Sequence, residues 1–185
     1  MSEIKNGKKI HDLVYIALGA VLITICSWIS IPTEVPFTLQ TMGVFLVCFL
    51  LGGKRASLSV LIYLLLGTVG VPVFSGFMGG PARLIGPTGG YLIGFLGSAL
   101  VYLLTEKLMG EKLLSSLLGM VLGLFVCYLF GSVWFYILYN QGTGSMGFSV
   151  VLMKCVIPFI PVDIIKIGLA IFLGKLLKKV LKDQL

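Results

Sequence analysis

LVYIALGAVLITICSWISI, residues 13–31, runs for nineteen residues without an Asp, Glu, Lys, Arg or His. As a helix it rises about 1.5 Å per residue, ~29 Å in all, which matches the ~30 Å hydrocarbon core of a bilayer. The run is too long for the apolar core of a secretory signal, and no A-x-A-like cleavage site follows it. It therefore predicts a retained transmembrane helix. Its leading flank carries Lys5, Lys8 and Lys9, and the loop that follows it has no basic residue.

Working outward, five more apolar stretches have spanning length or close to it. They are residues 35–51, 56–78, 90–105, 113–139 and 149–174. Gly67, Gly70 and Pro72 interrupt the third and predict a bent or irregular end. The intervening segments test this map. Lys54 and Arg55 follow the second span, Lys107 and Lys112 follow the fourth, and Lys175, Lys178, Lys179 and Lys182 follow the sixth. With the leading lysines these make eleven basic residues on one side, against Arg83 alone in the loops of the other. That alternation predicts an all-α membrane protein, a six-transmembrane-helix bundle with both termini cytoplasmic, forming a single transmembrane domain over residues 1–185. The expected location is a cell membrane crossed several times, of the bacterial cytoplasmic type. The lysine-rich end of the last stretch predicts a helix lying along an anionic membrane surface.

Composition agrees. Of 185 residues 58% are hydrophobic and 11% charged, and the mean hydropathy is +1.09. Soluble domains carry about 25% charged residues, and some 30% of the surface of a small folded domain stays in water. Lipid is the environment that hides this much apolar surface. The net charge of +7 sets orientation and does not predict a nucleic-acid partner. Cys26, Cys48, Cys127 and Cys155 lie in apolar stretches without C-x-x-C spacing and read as free packing thiols. No P-loop is present, the single histidine, His11, precedes the first span, and Asp163 is the one acid deep in a span. These absences argue against an ATPase, a Ser–His hydrolase, a two-aspartate protease and a metal site. The chain reads as neither an enzyme nor the holder of a cofactor.

Small residues predict where helices touch. Gly86, Gly90, Gly94 and Ser98 recur every four residues, as do Ser115, Gly119, Gly123, Cys127 and Gly131. Ala17, Ala20, Thr24 and Ser27 give the first span a small face, open either to internal packing or to another protein. The outer segment MGGPARLIGPTGGY, residues 78–91, holds five glycines and two prolines. Irregular backbone near membrane depth is tolerated where it lines a cavity, and its N–H groups can hold a carboxylate.

The chemistry concentrates in the last span. Asp163 and Lys166 stand at i and i+3, on one helix face, where an isolated charge costs on the order of 2.5–3.5 kcal/mol to insert. Two readings follow: a pair that only locks helices, or a polar ligand site. Intramembrane charges default to function, and Pro158 and Pro161 open the local backbone. Lys154, near the outer end and about 180° around the helical wheel, reads as interfacial. With Gln40, Tyr91 and apolar walls from Phe37, Phe74 and Phe77, the pair suits a small, partly apolar molecule with polar ends. Arg83 is a candidate to attract an anion at the mouth.

Four segments, PFTLQTMGVFL (36–46), LLGGKRASLSVLIYLLLGTVGVPVF (50–74), GPTGGYLIGF (86–95) and PVDIIK (161–166), resemble the BioY family. That family supplies the biotin-specific substrate-binding (S) component of energy-coupling factor (ECF) vitamin transporters. The last segment departs from the family's P-G-D-x-x-K, with Val162 at the glycine position. The resemblance implies a six-helix bundle with a vitamin pocket open to the outside. It also implies partnership with a transmembrane T component and two cytoplasmic ATPase subunits, docked through an A-x-x-x-A face on the first helix. Here Ala17 is followed four residues on by Val21 and Ala20 by Thr24, so Ala17, Ala20 and Thr24 are the expected docking residues. For biotin, Asp163 is expected to accept from the ureido N–H groups, while Lys166 and Gln40 serve the same ring. The tail carboxylate is expected near Arg83 or the N–H groups around Gly89, Gly90 and Tyr91. An S component for another vitamin, and a structural membrane protein with a locking pair, stand as alternatives.

Overall fold

The computed structural model describes residues 2–33, 35–141 and 146–183. These form seven helices and one two-stranded antiparallel pair. Helix α1 (Ser2–Trp28) leads into strands β1 (Ser30–Ile31) and β2 (Phe37–Thr38), paired Ser30 to Thr38. Then come α2 (Gln40–Thr68), the short α3 (Pro81–Ile85), α4 (Gly89–Met109), α5 (Leu113–Gln141), α6 (Phe148–Cys155) and α7 (Phe159–Asp183). The side chains of Lys5, Lys8, Lys9 and Lys182, counted above among the basic residues, lie outside the described ones.

Helix α2 folds back on itself. In a straight helix Gln40 and Tyr63 would lie about 35 Å apart, yet Gln40 Nε2 donates to the Tyr63 hydroxyl at 2.9 Å. The reversal falls at Gly52, whose φ of 77° and ψ of 160° suit glycine and almost nothing else. Glu106 of α4 closes the turn, its Oε2 accepting the Gly53 N–H at 2.7 Å. Gly53 itself must be small, since a Cβ there would lie 2.4 Å from the Cα of Leu103. The two arms then make a groove for α1, where Gly19 lies against both Val47 and Ser59.

Helices α4 and α5 join along the two small-residue stripes. Gly94 faces Cys127 and Gly119 faces Thr105, each leaving no room for a Cβ, and Gly123 faces Ser98, where a Cβ would fit only tightly. Such close approach lets Ser98 Oγ donate to the Gly123 carbonyl at 2.6 Å. Helices α6 and α7 meet at a 44° bend beside Pro158, because proline cannot continue the α6 hydrogen-bond ladder.

Among the described residues four helical segments are each long and apolar enough to cross a bilayer, namely Ile10–Trp28, Gln40–Thr68, Gly89–Met109 and Leu113–Gln141; the bent α6–α7 pair raises the number to five. Six spans are expected; the helix that covers the second and third stretches is a single element reversed at Gly52. Several bounds differ from expectation. The second stretch starts its helix at Gln40 instead of residue 35, because 37–38 pair as a strand. The third ends at Thr68 instead of 78, where Gly70 takes a φ of 104° and Pro72 follows. The sixth is broken instead of continuous.

Candidate functional site

One cavity gathers side chains from nearly every element of this end of the molecule. Asp163, Lys166 and Phe159 come from α7, Gln40 and Thr41 from α2, Tyr91 and Phe95 from α4, and Tyr128 and Leu124 from α5. Thr38, Phe74, Ser75, Arg83 and Thr88 line its loop side. Walls of Phe and Leu with a few converging polar groups are the usual make-up of a small-molecule site.

The polar centre is a three-residue network. Asp163 is 2% exposed and Lys166 4%. Lys166 Nζ donates to Asp163 Oδ1 at 2.7 Å, and the Tyr128 hydroxyl donates to Asp163 Oδ2 at 2.5 Å. The i, i+3 spacing puts both charges on one face of α7, and the fold turns that face inward. An ionised carboxylate has about four lone-pair sites, so two donors leave acceptor capacity for a ligand's N–H groups. The ammonium keeps N–H donors beyond the one given to Asp163. Beside this network Gln40 is held from two directions: its side chain bonds Tyr63, and its backbone N–H donates to Thr38 Oγ1 at 3.1 Å.

The remaining sequence candidates divide. Phe74 is buried in the wall, edge-on to Tyr63 with ring centroids 5.5 Å apart. Tyr91 lines the cavity while its hydroxyl donates to the Cys155 carbonyl at 3.0 Å. Arg83 lines the mouth, with its guanidinium against the Met78 sulfur. Phe37 does not line the cavity; it stacks on Phe159, which does, with centroids 4.0 Å apart. Phe77 lies outside it, 63% exposed and stacked on Trp28.

Gly89 and Gly90 serve packing instead of lining the cavity. A Cβ at Gly90 would meet Trp134 at 2.3 Å, and one at Gly89 the Leu84 carbonyl. The N–H groups of Gly89 and Tyr91 donate to the carbonyls of Gly86 and Thr88, so the local turn already uses them. Lys154 is exposed. On α1, Ala17 is exposed but Ala20 is 3% exposed, within the core. Thr24 is half-buried and donates to the Ala20 carbonyl. The outward face of α1 therefore carries Ala17 with Leu13, Val14, Leu18 and Val21.

Tyr128 and Tyr63 were not legible as site residues. A tyrosine within an apolar run carries no local mark of its partner, and Tyr128 reaches Asp163 across 35 residues of sequence.

The fold and this cavity define a membrane-embedded binder of a small molecule. The BioY family model matches residues 1–183, and the chain belongs to that family. The biotin transporter BioY of Thermotoga maritima is 40% identical over 173 residues, covering 91% of this chain and 96% of that one. A probable biotin transporter BioY of Pyrococcus horikoshii is 36% identical over 172 residues, covering 92% and 98%. Among solved structures, the S-component for biotin from an ECF-type ABC transporter superposes with a TM-score of 0.81 at 30% identity, covering 94% of each chain.

Proposed function

We propose that the chain captures biotin from outside the cell in the Asp163–Lys166–Tyr128 cavity and carries it inward as the S component of an ECF transporter. It is a transport protein and not an enzyme. The observation that carries this reading is a buried carboxylate–ammonium pair facing a cavity instead of sealed between helices. A pair that only locked helices would have no reason to line a cavity. The ureido ring offers two N–H donors and one carbonyl. Asp163 and the Tyr128 oxygen accept from the donors, and Lys166 and Gln40 donate to the carbonyl. The tail runs along Phe74, Phe95 and Leu124 toward the mouth, where Arg83, Thr88 and Ser75 receive its carboxylate. Arg83 takes this role over the Gly89–Tyr91 backbone, because two of those N–H groups are committed to the turn.

The same proposal includes a single domain of six crossings, the two arms of α2 counted separately, in a cytoplasmic membrane with both termini inside. Its support is the grouping of Arg55, Lys112, Lys175 and Lys178 around one end of the bundle, while Arg83 stands at the other. Energy comes from partners, a T component and two ATPase subunits, met along the Ala17 face of α1.

Thermal melting of the detergent-purified chain with a panel of vitamins tests the reading. A ligand that binds only the folded state raises the melting temperature when present far above its dissociation constant, by about 2.7 kcal/mol of stability at a hundredfold excess. Biotin is expected to do so, and desthiobiotin, which keeps the ureido ring and tail, to follow. A shift with another vitamin and none with biotin would reassign the substrate. No shift with any vitamin would return the pair to a locking role.

A further inference from the structure

A second cavity lies at the opposite end of the bundle from Asp163. Arg55 of α2, Glu106 of α4, Lys112 just before α5, Ser116 in its first turn, and Lys175 and Lys178 of α7 line it. Two of these charges are already engaged. Arg55 pairs with Asp12 of α1 at 2.5 Å, and Glu106 accepts the Gly53 N–H. Among the described residues, Lys112, Lys175 and Lys178 have no carboxylate within ion-pair distance, and the one other acid in the lining is Glu111. Lys178 Nζ is held 4.5 Å from the centre of the Phe49 ring, which fixes a cation at the cavity wall. The flanks are apolar: Leu113 and Leu114 of α5 and Phe172 and Leu176 of α7 are all exposed.

Uncompensated cations beside exposed apolar helix surface describe the complement of an amphiphile with an anionic head. We propose that this cavity holds the phosphate of an anionic phospholipid, its acyl chains lying along the exposed flanks of α5 and α7. Basic pockets between helices at the cytoplasmic interface are suited to such headgroups. A lysine binds phosphate as a point charge and needs no fixed fork geometry, so two of them on α7 and one just before α5 can share one head. A free phosphate ion would use the lysines but gain nothing from the apolar flanks. The inference does not depend on which vitamin the other cavity takes.

Native mass spectrometry of the full chain, delipidated in an uncharged detergent and offered equal phosphatidylglycerol and phosphatidylcholine, reads this out. The chain is expected to retain phosphatidylglycerol preferentially. The double variant K175Q/K178Q is expected to lose at least about fivefold of that preference, because two of the cavity's three uncompensated cations are gone. The variant K54Q/K107Q removes two exposed lysines outside the cavity and is expected to keep it. Equal loss in both double variants would overturn the proposal, because the attraction would then be diffuse. So would full displacement of the lipid by glycerol 1-phosphate at equal concentration, which would make the site one for free phosphate. If K175Q/K178Q fails to fold by thermal melting, Glu111→Gln decides. Removing that opposing carboxylate is expected to raise phosphatidylglycerol retention, and no rise overturns the assignment.

Discussion

Asp163 is the residue on which the site turns. Each of its oxygens has a donor, Lys166 on Oδ1 and Tyr128 on Oδ2, and its side chain is 3% exposed. Removing one partner of a buried ion pair costs roughly 3–5 kcal/mol, because the other charge is left without compensation. Asp163→Asn keeps the shape but gives up the charge and half the acceptor capacity. It is expected to weaken biotin binding at least about tenfold, ~1.4 kcal/mol, as measured by calorimetry on protein shown to be folded. Unchanged affinity would make the acid structural. Tyr128→Phe is the subtler change, since it removes one hydrogen bond to a charged group, worth about 1.5–3 kcal/mol, and no volume of consequence. Melting temperature and biotin affinity are both expected to fall. If only the melting temperature moves, the phenol stabilises the network without shaping the ligand's acceptors.

At the scale of elements, the reversal inside α2 sets the geometry of the site. It brings Gln40 beside Tyr63 and lets α1 lie between the arms. The turn rests on two adjacent glycines that are needed for different reasons. Gly52 supplies a backbone conformation that costs other residues about 1–3 kcal/mol, and Gly53 supplies room against Leu103. Gly52→Ala is therefore expected to destabilise by that amount and to lower the melting temperature by several degrees. Gly53→Val is expected to do more harm, because α4 backbone stands in the way and cannot yield as a side chain can. Melting both variants side by side in one detergent checks the order. Equal, negligible shifts would mean that the reversal tolerates side chains and is held by the packing of the arms alone.

For the whole molecule, capture and energy supply are separate tasks. The chain has no P-loop, so pure protein is expected to hydrolyse no ATP above the background of an identical mock purification. On the proposed reading transport needs a partner surface, and the outward face of α1 around the small, exposed Ala17 is the proposed one. Ala17→Trp is expected to reduce biotin uptake by cells producing the full transporter while leaving binding by the isolated chain intact. Ala20→Trp is expected instead to damage the fold, since Ala20 is 3% exposed and sits in the core. If Ala17→Trp leaves uptake unchanged, the docking surface lies elsewhere on the bundle.

The amino-acid sequence by itself determined the solvent and the two intramembrane charges, and set the expected polarity of the ends. Each of these is a local property: the length of an apolar run, the placement of lysines between runs, and an i, i+3 spacing on one helix. The matching stripes of α4 and α5 were legible for the same reason, because a four-residue recurrence of small side chains marks a contact whatever its partner. The tertiary structure alone decided that Tyr128 completes the carboxylate network, that Gly89 and Gly90 admit neighbouring helices and do not line the cavity, and that Ala20 faces inward while Ala17 faces out. It alone decided that two expected spans are joined by a tight reversal at Gly52. These depend on contacts between residues far apart in sequence, such as Tyr128 with Asp163 across 35 positions and Gly53 with Glu106 across 53. In a chain where lipid makes nearly every face apolar, hydrophobic pattern does not distinguish an inward face from an outward one. Only the assembled packing does.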